Sequence, residues 1–518
     1  MPKLPTRPSF FPPSKTMPKP TTTSATTVNS TADFYRNDFP KTLFPLKTNL
    51  FLIENGQQEL SEFIEKCLDD KEKAFSFLPQ RRVYAAKPGH HLRRTVKLDA
   101  VSEYFLYDTV YKNRSRFRKP FSKDREHFGY RFDEGAPISA TVAYKAFKGA
   151  ISEYSKSYKH FISIDVASYF NNIYHHDVVN WFRELQAPEN EVNGFGQMLR
   201  EINSGRSVDC LPQGLYPAKM IGNDFLRFVE NYHGLISSKI IRFMDDIYLF
   251  SDNENTITND FIMVQNLLGD KGLSVNPQKT SRKSAQHLNR EDKIDAVKEK
   301  LLKRRRIAIA TGYDGEGEED SFTLKFSLTD AELAYVNDIL AQPDIEEEDA
   351  ELILTIMRDH AEKVEGRLPD IIRNFPNLTK SVYSFCSGVA DKEFLAKSIE
   401  EITHSSPRLL EFQLFWFASI LEDHLMNTSR ASALIDLLYN HLSATPISRA
   451  KILEIPDSRY GLTELRHNVL STGQSDWLGW SAAVGSRVLK AGSRNHAIKY
   501  FGNCSQLNHL IATVVIKE

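Results

Sequence analysis

The stretch "KIIRFMDDIYLF", residues 239–250, sets two apolar runs around an adjacent carboxylate pair, Asp245 and Asp246. Runs this rich in β-branched and aromatic residues read as two strands around a tight turn, which puts both carboxylates at a hairpin tip. Like charges that close repel, and one tends to keep its proton, so folding alone explains the pair poorly. A divalent cation relieves the repulsion. Mg²⁺ takes carboxylate oxygens and shares them with substrate phosphates, so two aspartates on neighbouring elements point to metal-dependent phosphoryl transfer.

A third carboxylate stands upstream. Asp165 ends the alternating, β-branched run "HFISID" and precedes a turn that carries Tyr169 and Phe170. If that strand lies beside the hairpin, Asp165, Asp245 and Asp246 converge and can hold two Mg²⁺, with Mn²⁺ as the alternative, roughly 3.5 to 4 Å apart. Between them lies "LPQGLYPAKMIGN", residues 211–223, where Gly214 permits close backbone approach, Gln213 offers an amide to a nucleotide, and Pro217 opens a helix.

Around these segments, "HHDVVNWFREL" and "PAKMIGNDFLRFVENYH" have helical spacing. "NDFIMVQNLLGDKGLSVNPQK" gives a helix stopped at Gly272 and then a short strand. The order strand, helix, helix, hairpin, helix, strand describes a domain with a mostly antiparallel sheet. N-terminal to it, residues 81–131 are rich in Arg and Lys with interleaved aromatics, a surface suited to phosphate oxygens.

Residues 1–38 are dense in Pro, Ser and Thr and read as a flexible tail, with Tyr35 its one tyrosine. After "LLKRRR", the run "IAIATGYDGEGEEDSFTLKF" (307–326) reads as a hairpin. Residues 328–518 change to repeated amphipathic helices with an acidic run, "DIEEEDAE", at 344–351. The expected fold class is therefore α+β followed by an all-α, HEAT-like region. Its Trp416, Trp477 and Trp480 read as packing residues.

Bulk composition narrows the function. With 66 Lys+Arg against 67 Asp+Glu, the formal net charge is -1, so indiscriminate binding of nucleic acid is excluded and any contact is a local patch. The four cysteines stand far apart without metal-ligand spacing, which argues against a zinc site or a disulfide framework and for a reducing, cytoplasmic setting. No apolar run is long enough to span a bilayer, so no membrane partner is expected.

Taken in order, "FISIDVASYFNNI", "LPQGLYPAKMIGN", "IIRFMDDIYLF" and "GLSVNPQKT" resemble motifs A to D of reverse transcriptases, above all the bacterial lineage. The resemblance implies fingers over 39–150 and a palm over 151–300, with a basic linker and hairpin at 301–327 before the helical region. It implies that Asp165, Asp245 and Asp246 are the metal-binding catalytic aspartates. Phe170 becomes the aromatic gate selecting dNTPs, Gln213 and Gly214 line the nucleotide pocket, and Lys279 lies near the triphosphate. Arg94, Lys97, Arg116 and Arg118 of the basic segment fall where triphosphate contacts belong. Two positions depart from the family pattern: Phe243 replaces the usual tyrosine, and "LYPAK" replaces the small residues after Gln-Gly. They bear on the handling of primer and incoming base rather than on the metals.

A polymerase core with a large helical C-terminal region resembles the Abi (abortive infection) phage-defence reverse transcriptases. That resemblance implies untemplated, protein-primed DNA synthesis from dNTPs, single-stranded DNA attached to the protein, and a homo-oligomer, a trimer or a hexamer. Tyr35 on the tail is one candidate for the priming hydroxyl, and a tyrosine of the helical region is another. The alternatives are a templated enzyme working with a noncoding RNA, and a non-catalytic scaffold that binds RNA or protein.

Overall fold

The computed structural model describes residues 28–69, 74–204, 209–284, 301 and 328–517. Its strands are β1 (Arg81–Ala86), β2 (Leu92–Lys97), β3 (Arg125–Phe128), β4 (Phe132–Asp133), β5 (Ala136–Pro137), β6 (His160–Asp165), β7 (Lys239–Phe243), β8 (Asp246–Ser251) and β9 (Ser281–Ser284). Five of them form one sheet in the order β3-β7-β8-β6-β9, antiparallel except for the β3–β7 pair. The expected segments at 160–165 and 239–250 are strands. The edge strand β3 lies within the basic segment, whose charges masked its alternation.

Register decides which side chains share a face. Cα partners in an antiparallel pair point to the same side, and the side alternates along each strand. The pairs Phe161↔Phe250, Ser163↔Tyr248 and Asp165↔Asp246 therefore share one face with Phe243. The helix Ala140–Ser157 covers much of it, stacking Phe147 on Phe243 at 5.7 Å between ring centroids. Burying two such rings contributes about 1.5–3 kcal/mol each. The aspartates lie at the end of the same face, where the sheet opens into a cleft. The other face presents Ile162, Ile164, Ile240, Leu249 and, among these apolar neighbours, Arg242.

Of the tail expected over 1–38, residues 28–38 pack into the core, and residues 1–27 lie outside the described residues. Ser30 caps a helix over Thr31–Asp38 that buries Phe34 and Tyr35. Its aromatic face makes the difference: Phe34 and Tyr35 both pack edge-on against Tyr107, and the Pro/Thr bias of residues 1–27 hides that short amphipathic run.

From Asp330 to Lys517 every element is helical. The hairpin expected at 307–326 lies outside the described residues. The boundary expected at 328 does not separate two cores. Phe412, Phe415, Trp416, Trp477, Trp480 and the last helix share one apolar cluster with the fingers and palm, and a second cluster fills the helices between. Glu454 joins the two parts. The helix Lys47–Asn55 has no side-chain cap of its own, and the Glu454 carboxylate accepts from the backbone N–H groups of Lys47 (2.9 Å) and Thr48 (2.7 Å). Lys451, buried between Glu454 and Glu422, balances the charge at 2.8 and 2.7 Å. Among the described residues no helix is long and apolar enough to cross a membrane.

Candidate active site

Asp165 is the last residue of β6, Asp246 the first of β8, and Asp245 lies in the turn between β7 and β8. All three line one cleft of ≈ 590 Å³. The loop after the helix Glu254–Gly269 closes beside them: the Asn276 N–H donates to the Asp165 carbonyl (2.7 Å), and Lys279 Nζ stands 3.4 Å from Asp165 Oδ1. The opposite wall is the β1–β2 hairpin, which brings Lys87, Arg93 and Arg94 to the same cleft. Carboxylates face cations across a space of nucleotide size.

The chain after Asp165 turns sharply through Ser168, which adopts the left-handed conformation (φ 48°). This turn drops Tyr169 and Phe170 into the floor. Tyr169 donates its hydroxyl to the Gly222 carbonyl at 2.7 Å, and burial pushes that phenol well above its ordinary range, so it stays protonated. Gly222 lets the helix approach closely, since a Cβ there would press on both rings at 3.3 Å. Phe170 is buried but reaches the cleft wall.

Gln213 also lines the cleft, and its carbonyl accepts from Thr95 Oγ1 at 2.9 Å, joining the palm to β2. Gly214 follows with φ 106°, a conformation open to glycine, and turns the chain into the helix Tyr216–Phe225. Asp38, at the end of the first helix, accepts from the Tyr216 N–H at 2.7 Å and from the Tyr107 hydroxyl. The segment read as a tail thus sets the start of the helix that follows Gln213 and Gly214.

The structure corrects four residues of the sequence reading. Tyr35 is 1% exposed and donates its hydroxyl to Glu103 at 2.6 Å, so it cannot reach the cleft. Lys97 is buried in an ion pair with the same Glu103. Its place along the strand explains this: β2 runs from exposed Leu92 into the core, and Lys97 is its last, buried residue. Arg118 pairs with buried Asp224, which also accepts from the Trp181 indole at 3.0 Å. Arg116 donates to the Gln186 carbonyl, and neither arginine lines the cleft. Arg94 does line it, tethered to Asn171 at 3.3 Å. Lys87 and Arg93 were missed, although they sit on the same hairpin as Arg94.

Three carboxylates are hard oxygen donors and fit Mg²⁺ or Mn²⁺. Among the described residues no group of three or more His, Cys, Asp or Glu side chains is drawn together closely enough to hold one ion by itself.

Strand-borne carboxylates opposed by cations across such a cleft suit metal-dependent chemistry on phosphates. Residues 114–300 match the family model for reverse transcriptase (RNA-dependent DNA polymerase), so the chain carries a reverse transcriptase domain and is an enzyme of that chemistry. The comparison with curated proteins gives no match. Among solved structures, apo telomerase from Candida tropicalis is 10% identical with a TM-score of 0.33, covering 83% of this chain and 73% of that one. Telomerase from Candida albicans with a TWJ fragment of telomeric RNA is 12% identical with a TM-score of 0.31, covering 75% and 65%. Likenesses this distant carry no part of the argument.

Proposed function

We propose that the protein is a DNA polymerase that joins dNTPs by two-metal catalysis, needs no template, starts from a hydroxyl of its own chain and serves antiphage defence. The observation that carries the polymerase reading is the single cleft shared by Asp165, Asp245, Asp246 and the cations of the β1–β2 hairpin. In this reading the aspartates hold the divalent ions, which when bound acidify the attacking hydroxyl and stabilise the leaving pyrophosphate. Lys87, Arg93, Arg94 and Lys279 neutralise the triphosphate, and charge placed in advance is what such a transition state requires. Phe170 lies in the floor where it would press against the sugar, and Gln213 presents its amide beside it.

The untemplated, defence-related part rests on the resemblance to Abi enzymes, on the net charge of -1, and on a helical region that shares the polymerase core. A homo-oligomer follows from the same resemblance. With Tyr35 sealed in the core, the priming hydroxyl belongs elsewhere. The templated alternative draws support from the family match, whose members are RNA-dependent.

The test is incubation of purified protein with Mg²⁺ and single dNTPs, without template or primer. A DNase-sensitive upward shift of the protein band is the expected result. Product that forms only with added RNA and a free primer would favour the templated reading, and no product under either condition would favour the scaffold.

A further inference from the structure

Arg242 is an anomaly of the palm. It sits on the central strand β7, among isoleucines, with no exposure at all. A buried guanidinium is costly unless every donor finds a partner, and Arg carries five N–H groups in a fixed planar fork. Here all five are used. Nε donates to Glu230 Oε2 at 2.9 Å, and Nη2 to Glu230 Oε1 at 2.8 Å. Nη2 also donates to the Asn223 carbonyl at 2.7 Å, while Nη1 donates to Asn223 Oδ1 at 3.1 Å. The fifth bond runs from Nη1 to the carbonyl of Met244 at 2.9 Å.

That last partner gives the cluster its meaning. Phe243↔Asp246 is the final register pair of the hairpin, so Met244 and Asp245 form its two-residue loop. Met244 has φ 54°, the conformation that primed hairpin turns demand and that glycine usually supplies. A methionine is strained there, and its side chain is fully buried in the apolar core. The carbonyl that Arg242 holds belongs to the peptide linking Met244 to Asp245. The guanidinium is in turn anchored to the helices Tyr216–Phe225 and Arg227–Glu230, through Asn223 and Glu230. Asn223 Nδ2 completes the frame by donating to the Gly129 carbonyl at 3.0 Å.

We infer that Arg242 is the positioning residue of the site: from the far face of the sheet it fixes the strained turn and so sets where Asp245 and Asp246 stand in the cleft. The inference rests on reading that cleft as a metal-dependent polymerase site. Arg242 touches neither substrate nor metal. It acts through one peptide bond, as partners behind a metal ligand do, and such partners typically govern affinity by about 10–100-fold.

The test is a cycle of Arg242→Lys and Met244→Gly in the full-length protein. Lysine keeps the charge opposite Glu230 but lacks the fork that reaches Glu230, Asn223 and Met244 together. Glycine adopts the turn without strain. Mn²⁺ affinity by electron paramagnetic resonance should fall about tenfold in Arg242→Lys. Single-dNTP incorporation should lose kcat more than it gains in KM. The same Arg242→Lys change should cost clearly less in the Met244→Gly background, in affinity and in melting temperature alike.

Equal cost in both backgrounds, or unchanged Mn²⁺ affinity in a folded Arg242→Lys protein, overturns the inference. If Arg242→Lys fails to fold, Asn223→Ala is the milder variant: it keeps the guanidinium paired with Glu230 but removes the side-chain oxygen that Nη1 holds, and a loss of affinity of about threefold is the matching expectation. Unaltered affinity there would equally overturn it. Melting reads the link between Arg242 and Met244 without catalysis. A wild-type protein that shows the coupling yet makes no DNA would therefore sink the polymerase reading and not the tie.

Discussion

The β7–β8 hairpin takes its support from the palm beneath it, whereas the β1–β2 hairpin takes much of its support from residues hundreds of positions away. In the first, Ile240, Ile241, Ile247, Leu249 and Phe250 have no exposure, and the tip is tied by Arg242. In the second, Tyr84 and Leu92 are 42% and 52% exposed. The Tyr84 N–H donates to Glu411 (3.3 Å), 327 residues along the chain, and the Gly89 N–H donates to Glu347 (3.4 Å), 258 residues along. The carboxylates are thus fixed within the palm, while the β1–β2 hairpin is held from two sides, by the palm through Arg94 and Thr95 and by the C-terminal helices through Tyr84 and Gly89. The helical region is part of the cleft's frame.

The comparison breaks most decisively on the palm side. Replacing Asp245 and Asp246 together by alanine should lower nucleotide incorporation on the order of 10³-fold or more with an unchanged melting curve. Surviving synthesis would show that the tip is not the reacting centre. Next in size is Glu454→Ala, which strips the helix Lys47–Asn55 of its cap and leaves Lys451 with one buried partner instead of two. A loss of about 3–5 kcal/mol is expected in denaturant unfolding. A shift below about 1 kcal/mol would mean that the two parts are joined more loosely than their shared core implies.

Arg94→Ala and Lys97→Ala sharpen the contrast within one strand. Arg94→Ala should raise the dNTP KM about tenfold with little change in melting, the worth of one charge-assisted contact. Lys97→Ala should do the reverse, because it leaves Glu103 buried without its cation. A raised KM with unchanged melting for Lys97→Ala would contradict the placement given above.

Acid provides the smallest effect. Burial alone would push the Glu230 carboxyl up, but the charge of Arg242 and the hydrogen bonds of His127 and Arg242 outweigh it and bring the group from 4.5 down to about 2. A depressed carboxylate contributes stability that is present in full above about pH 4.5 and fades as pH falls toward about 2. Burial lowers the His127 imidazole, 3.3 Å from Glu230, and a depressed imidazole likewise withdraws stability as pH falls below its usual 6.5. Urea midpoints should therefore decline from pH 7 to pH 3, first gently and then more steeply below 4.5. A flat profile would mean that the cluster under the hairpin is not ionised as drawn.

The same contrast explains what could be read from the sequence. The palm segments carry period-two alternation with carboxylates at strand ends, a short-range signal, so Asp165, Asp245, Asp246, Gln213 and Phe170 fell onto one cleft. Lys279 followed because its loop is short and hydrogen-bonded to β6. The fingers gave only a basic composition. Composition does not say which cation faces phosphate and which faces Glu103, and Arg93, Arg94 and Lys97 share one short strand that passes from the cleft into the core. Arg116 and Arg118 are occupied by partners distant in sequence, Gln186 and Asp224. Tyr35 was lost to the Pro/Thr bias before it, and Arg242 passed unread because an arginine in an apolar strand resembles an exposed position.

The central claim is that Asp165, Asp245 and Asp246 hold the reacting metals. Crystals grown with Mn²⁺ and a non-hydrolysable dNTP analogue test it by anomalous scattering. The account predicts two peaks among these carboxylates, roughly 3.5 to 4 Å apart, with the triphosphate reaching Arg94. Peaks elsewhere, with the three aspartates bare, would contradict it.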